Sequence, residues 1–145
     1  MPSIKGRIRI TRLGHRGELL LALALLDFAQ CYRLTWPSKE TLASTTTQFL
    51  ANVLPLQVWG VIWGLVGVVC LAQAFMRTDR YAFAAASGLK VGWALVHIAA
   101  WVWGVPQVWW SAAIWLAFAR LVHVIAKVPN QPELVVPPIP TGGAP

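Results

Sequence analysis

Four long apolar runs dominate the sequence, at residues 18–35, 54–76, 81–104 and 107–127. Each approaches or exceeds the roughly 20 residues that a helix needs to cross about 30 Å of hydrocarbon. Because backbone amides in lipid must be satisfied within their own segment, we expect these runs to be helices. Only 12% of the residues are charged, against about 25% in a water-soluble domain. The sequence therefore predicts an all-α membrane protein with four transmembrane helices.

Tryptophans collect at one side of the membrane when the four runs are threaded from an N-terminus on the inside. An indole ring joins an apolar body to a single N–H donor, so it is most stable at the membrane–water interface. We therefore expect eight of the nine tryptophans to be interface anchors on the outer side: Trp36, Trp59, Trp63, Trp101, Trp103, Trp109, Trp110 and Trp115.

Basic residues collect at the other side. Eight lie there, against only Arg33 and Lys39 on the tryptophan side: Lys5, Arg7, Arg9, Arg12, Arg16, Arg77, Arg80 and Lys127. This is the positive-inside distribution, which predicts that both termini are cytoplasmic. It also indicates that the net charge of +7 faces lipid headgroups, so the expected partner is the bilayer and not nucleic acid.

The segments outside the runs complete the organisation. Residues 1–17 are expected to be a basic cytoplasmic arm, and residues 36–53 the only sizeable extracytoplasmic loop. Residues 128–145 are rich in proline and are expected to be a disordered cytoplasmic tail, although two P-x-x-P spacings also fit docking into an aromatic groove. The arm and first run resemble a secretory signal peptide, but Asp27 interrupts the apolar stretch. We therefore expect a retained first helix.

The connections between the runs carry helix signals of their own. Thr45–Gln48 has the form of a capping box, which predicts a short helix near Thr46. Pro55 either kinks that helix or lies in the first turn of the second span. Gly104 followed by Pro106 predicts a tight outer hairpin between the third and fourth helices.

Six polar side chains inside the expected spans are the candidate functional residues, because an ionised group at mid-bilayer is costly and is usually paired or water-facing. They are Asp27, Gln30, Lys90, His97, Arg120 and His123. Asp27 and Lys90 each lie about ten residues, or roughly 15 Å, from the inner helix end. This predicts an ion pair between the first and third helices. The alternatives are a pair between Asp27 and Arg120, whose shallower depth fits less well, and a lone Asp27 with a Lys90 that extends to the headgroups.

The remaining polar residues have simpler explanations. Arg120 lies near the inner interface and is expected to reach it, together with His123. A histidine at the depth of His97 more often bonds to a neighbouring helix than relays protons. Cys31 and Cys70 differ in depth by roughly 10 Å, so we expect free thiols.

Glycines mark two packing faces. Gly60, Gly64 and Gly67 lie on one face of the second helix, and Gly88 and Gly92 repeat the spacing on the third. Such faces let helices approach closely, either within one molecule or between copies, and the sequence leaves both uses open.

Enzyme signatures are absent from the sequence. It contains no Ser–His–Asp grouping at one depth, no paired carboxylates and no glycine-rich phosphate loop. It also contains no Cys/His cluster with metal-ligand spacing. We therefore expect a protein that is not an enzyme, with no catalytic residues, no cofactor and no metal.

Several short phrases resemble a known group of proteins. They are the basic Arg12-Leu13-Gly14 leader with the leucine run up to Asp27, Leu54-Pro55-Leu56 with Val58-Trp59-Gly60, and Arg77-Thr78-Asp79-Arg80 with Leu89-Lys90. Together they resemble the small four-span membrane proteins found among lysis-associated genes of actinobacterial phages, over most of residues 12–127. The resemblance implies a holin-like protein, or a membrane partner of other lysis proteins, in the inner membrane of the bacterial host.

The leading hypothesis is an oligomerising phage protein that permeabilises or depolarises the host membrane during lysis. In it, Gly60, Gly64, Gly88 and Gly92 mediate close packing, and the face with Lys90 and His97 lines the lesion. One alternative is a small transporter or channel that uses Asp27 as its coupling acid. Another is a non-enzymatic interaction protein, such as a superinfection-exclusion factor, that uses residues 38–53 or the tail.

Overall fold

The computed structural model describes residues 14–76 and 79–127, and this part of the chain contains helices and no strands. The helices are α1 (His15–Thr35), α2 (Lys39–Ala43), α3 (Thr45–Val53), α4 (Leu56–Ala74), α5 (Arg80–Val102) and α6 (Trp109–Ala126). The expected all-helical class is confirmed over these residues. The arm residues Lys5, Arg7, Arg9 and Arg12, as well as Arg77 and the tail 128–145, lie outside the described residues.

Three helices are long and apolar enough to cross a membrane, by length and composition: α4, α5 and α6. The chain therefore has the character of a membrane protein. Helix α1 has 21 residues, but it carries four charged side chains along its length: Arg16, Glu18, Asp27 and Arg33. Its assignment as a fourth span stays a prediction.

The four long helices pack as two antiparallel pairs. Helix α1 lies along α4, α5 lies along α6, and a contact between α4 and α5 joins the pairs. One core cluster joins the start of α1 to the end of α4 and the start of α5, and includes Leu20, Cys70 and Phe83. A second core cluster, which includes Leu34 and Trp63, lies toward the other end. We call the end with Arg16 and Arg80 the basic end, and the opposite end the tryptophan end.

The glycine face of α4 lets α1 approach closely. A Cβ added at Gly60 would lie 2.5 Å from Thr35 Oγ1 and 3.2 Å from the Cys31 carbonyl oxygen. At Gly67 it would lie 3.0 Å from the Phe28 ring, and at Gly64 3.1 Å from the Cys31 sulfur. This face therefore serves packing within one molecule, which decides between the two uses that the sequence left open for it.

The glycines of α5 have the opposite surroundings. Among the described residues, no atom lies within 4 Å of a Cβ built at Gly88 or Gly92, and both glycines are exposed. The second glycine face therefore makes no packing contact with the rest of residues 14–76 and 79–127.

Two short helices occupy the expected loop at 36–53. Helix α3 corresponds to the short helix predicted near Thr46. Its N-cap is Ser44, however, and the predicted capping box does not form. Instead, the Gln48 side-chain amide donates to the Leu42 carbonyl oxygen at 3.5 Å. Helix α2 was not predicted; the Ser38 hydroxyl caps it by accepting from the Thr41 backbone N–H at 3.2 Å.

The connections around prolines follow simple backbone rules. Pro55 is the N-cap of α4, so it separates α3 from α4 and kinks neither. At the end of α5, the Gly104 N–H donates to the Trp101 carbonyl and the Val105 N–H to the Ala100 carbonyl. This is a Schellman motif, which needs the left-handed conformation that Gly104 adopts at φ +87°. The predicted hairpin is present.

Candidate functional site

Asp27 and Lys90 form an ion pair inside the helix bundle. The Lys90 ammonium donates a hydrogen bond to Asp27 Oδ1, and both side chains are completely buried. Helix α1 carries Asp27 and α5 carries Lys90, and these two helices pack mainly against other partners. The ion pair predicted from equal depth is therefore present, and Lys90 does not extend to the basic end.

One tryptophan ring contacts this ion pair and belongs to a larger group of packed rings. The Lys90 nitrogen lies 4.9 Å from the centroid of the Trp63 ring, whose π-face attracts a cation. Trp63 makes an edge-to-face contact with Trp93 at 5.4 Å and a tilted contact with Trp115 at 5.3 Å. Trp59 contacts Trp93 edge-to-face at 5.3 Å. We call these four residues the tryptophan cluster.

The cluster includes three tryptophans that were expected to be interface anchors. Trp63 is completely buried, so its assignment as an interface anchor is wrong: a ring with no exposed surface cannot contact headgroups. Trp59 and Trp115 are half-buried and contribute rings to the same cluster. The other five expected anchors are exposed on the bundle surface: Trp36, Trp101, Trp103, Trp109 and Trp110.

The sequence did contain a signal for this cluster. Trp63 follows Gly60 by three residues and precedes Gly67 by four, so it lies on the glycine face that packs inward. Trp93, the one tryptophan left out of the expected belt, follows Lys90 by three residues on the polar face of α5. Assigning tryptophans by depth alone ignored the helix face on which each one lies.

His97 lies one turn beyond Trp93 and is also buried. Its Nδ1 is 2.9 Å from the Trp93 carbonyl oxygen, and because a carbonyl only accepts, Nδ1 carries the hydrogen. The predicted bond to a neighbouring helix is therefore replaced by a bond within α5. Lys90 and His97 both face the interior of the bundle; that their face lines a lesion stays a prediction.

Polar atoms around the ion pair retain unused hydrogen-bonding capacity. Within the described residues, Asp27 Oδ2, the Gln30 side-chain oxygen and the Trp63 indole N–H are buried and have no hydrogen-bond partner. Gln30 follows Asp27 by three residues on the same face of α1. Because burying a polar atom without a hydrogen bond is costly, these three atoms are candidates for holding a proton or a small polar species.

Arg120 and His123 belong to a different part of the molecule. Both are exposed on α6, and both line a hollow against Ser87 and Val91 of α5. The six candidate residues therefore divide into a buried group around Asp27 and an exposed pair near the basic end.

The structure adds an ion pair that sequence reasoning missed. At the basic end, Arg16 Nε lies 2.8 Å from Asp79 Oδ2, and Arg16 Nη2 donates to Asp79 Oδ1 at 2.9 Å. The guanidinium also lies 5.1 Å from the centroid of the Phe83 ring. The sequence contained a signal for this pair, because Asp79 is the acidic residue in the turn at which the basic residues collect. Arg16 was interpreted only as a cation for lipid.

No group of three or more His, Cys, Asp or Glu side chains in residues 14–76 and 79–127 has the geometry to hold a metal ion. Cys31 and Cys70 are free thiols, as their different depths predict. Comparison with protein families, curated proteins and solved structures finds no match for this chain. The structure thus defines an all-helical protein with membrane-spanning character and a buried ion pair.

Proposed function

We propose that this chain is a four-span protein of a bacterial plasma membrane, with α1, α4, α5 and α6 as the spans and both termini cytoplasmic. Helix α1 supports this because it lies along α4, an apolar candidate span, for most of its length. The one charge near its middle, Asp27, faces Lys90 in the interior and not the surroundings. Its other charges lie within about one turn of an end, where long side chains reach headgroups.

Cysteine labelling tests this topology. Both native cysteines are replaced by alanine, and a single cysteine is introduced at Ser38 or at Lys127. With both termini inside, a membrane-impermeant maleimide labels Ser38→Cys in intact cells and labels Lys127→Cys only after lysis. Labelling of both in intact cells contradicts the topology.

Within that membrane, the proposed activity is self-association that permeabilises or depolarises it, as a holin-like protein does in phage lysis. The observation that carries the proposal is the exposed face of α5 at Gly88 and Gly92, where no described atom lies within 4 Å of a built Cβ. Small residues at this spacing let two membrane helices approach closely. Since the glycine face of α4 is used within the molecule, the α5 face is available for a second copy or for another lysis protein.

Inducible expression in a bacterial host tests the activity, with dye uptake and membrane potential followed over time. We expect the wild-type chain to collapse the potential. Gly88→Leu with Gly92→Leu should delay the collapse, because bulky side chains separate the two α5 helices. The matched control is Ala113→Leu with Ala117→Leu, which enlarges two exposed small residues of α6. Full expression of the wild-type chain with an intact potential contradicts the proposal.

A second candidate function is a proton-coupled transporter or channel that uses Asp27. It is favoured by the unused polar atoms at Asp27, Gln30 and Trp63. Purified protein in liposomes with an internal pH dye tests it. If Asp27 carries protons, Asp27→Asn abolishes the dissipation of a pH gradient while Arg33→Gln, an exposed change on the same helix, does not. Equal rates for Asp27→Asn and wild type exclude this candidate.

A further inference from the structure

A cavity of about 280 Å³ lies at the basic end between α1, α5 and α6. Its polar lining comes from Arg16, Arg80, Ser87 and His123. Asp79 already pairs with Arg16. Within residues 14–76 and 79–127, Arg80 forms no ion pair. Its guanidinium donates to the Tyr81 hydroxyl and lies over the Tyr81 ring. No carboxylate of the described residues lines the cavity, so the positive charge of Arg80 has no matching acid there.

The position of Arg80 at the start of a helix adds to the positive potential of the cavity. Arg80 is the first residue of α5, where the positive end of the helix dipole disfavours a cation. Its charge and the helix N-terminus therefore act together on whatever occupies the cavity. Both the Arg80 charge and the helix N-terminus favour binding of an anion.

An apolar hollow adjoins this cavity further along the helices. It measures about 300 Å³ and shares Ser87 and His123 with the first cavity. Its other walls are Val91 of α5, and Leu116, Ala119 and Arg120 of α6. Val91 is eleven residues from the start of α5, which places it roughly 16 Å from the basic end. The hollow therefore lies at the depth of lipid tails.

We propose that the two hollows form one binding site for an anionic phospholipid. Its phosphate lies by Arg80 and His123, and one acyl chain lies along Val91 and Leu116. Charge complementarity selects the headgroup, since basic pockets between membrane helices bind anionic lipid headgroups. The apolar continuation selects a lipid over a free phosphate ion. The site rests on the proposed membrane location and is independent of permeabilisation.

Native mass spectrometry of the full chain, purified in detergent and exchanged into defined lipids, tests this site. We expect the wild-type protein to retain phosphatidylglycerol in preference to phosphatidylcholine, and not to retain glycerol phosphate, which lacks acyl chains. Arg80→Gln should weaken phosphatidylglycerol retention by about fivefold, the effect of one positive charge at the membrane surface. Arg80→Gln with His123→Gln should weaken it further.

Lys127→Gln is the matched control, because Lys127 is an exposed cation near the same helix ends but lines neither hollow. It should retain lipid as the wild type does. Three results overturn the site: equal retention by Arg80→Gln and wild type, an equal loss in Lys127→Gln, or glycerol phosphate binding as tightly as the lipid. Because the readout is bound lipid and not membrane potential, failure of the site and failure of the permeabilising function are separate results.

Discussion

Lys90 donates a hydrogen bond to Asp27 across 63 residues of chain, and both side chains are completely buried. The ion pair links α1 to α5, two helices that otherwise pack against α4 and α6. Removing two charges from water is expensive, so a buried pair adds less net stability than the attraction between its charges alone would. We expect its larger effect to be on specificity, because no other described acid lies inside the bundle to accept Lys90.

Removing the charge of either partner of this ion pair should destabilise the protein. Asp27→Asn and Lys90→Met should each lower the free energy of unfolding by about 3–5 kcal/mol, because each leaves a buried charge without its partner. The double variant should recover a large part of this loss, since it leaves no buried charge. Thermal unfolding in detergent measures all three in a double-mutant cycle.

Arg33→Gln is the control for that cycle, since it removes an exposed charge near the end of the same helix. Its effect should stay below about 1 kcal/mol. Additive losses in the double variant would show that Asp27 and Lys90 act independently, and would remove the ion pair as a structural link.

Gly60 of α4 and Gly88 of α5 should respond in opposite directions to substitution by alanine. Gly60→Ala should lower the free energy of unfolding by about 1–3 kcal/mol. The reason is that its Cβ would lie 3.2 Å from the Cys31 carbonyl and 2.5 Å from Thr35 Oγ1, and the Thr35 hydroxyl is held by the same carbonyl. Gly88→Ala meets no described atom and should raise stability by up to about 1 kcal/mol through helix propensity. Thermal unfolding of both variants in one detergent checks the contrast, and destabilisation by Gly88→Ala would place α5 against an intramolecular neighbour.

Buried and exposed tryptophans should differ just as clearly. Trp63→Ala should cost about 3–5 kcal/mol, because it leaves a cavity beneath Lys90 and removes the ring contacts of Trp93 and Trp115. Trp101→Ala changes an exposed ring with no ring contact in the described part of the chain, so its cost should stay below about 1 kcal/mol. Unfolding followed by circular dichroism distinguishes them. Equal losses would contradict the interior position of Trp63.

The depth of a residue along its helix could be predicted from the sequence. The direction in which its side chain faces was harder to predict. Equal distances from the helix ends were enough to pair Asp27 with Lys90. Depth alone failed for Trp63, because a ring near a membrane interface can face lipid or a neighbouring helix, and the packing of α1 on α4 decides which. Combining depth with the glycine face would have assigned it correctly.

Local backbone geometry could also be predicted only in part. The tight hairpin at Gly104 and Pro106 depends on neighbouring residues, and the sequence predicted it. Helix α6 nevertheless starts at Trp109 and not at residue 107, because Gln107 adopts the left-handed conformation at φ +62°. Nothing in the residue type signals that conformation. Contacts such as Gln48 to Leu42, which replaces the capping box, depend on how α2 meets α3 and could not be derived from either segment alone.

The Arg16–Asp79 pair supplies the last prediction. Both side chains are less than one-fifth exposed, and the contact is bidentate, so it should contribute at the upper end of the range for pairs near a surface, about 1 kcal/mol. Asp79→Asn should lower stability by that amount and loosen the start of α1, which has no side-chain cap. Faster hydrogen exchange in the first turns of α1 would report the loosening, while Glu18→Gln, which removes an exposed acid in the same turns, should leave exchange unchanged. Unchanged exchange in Asp79→Asn would show that core packing around Leu20 alone holds the start of α1 in place.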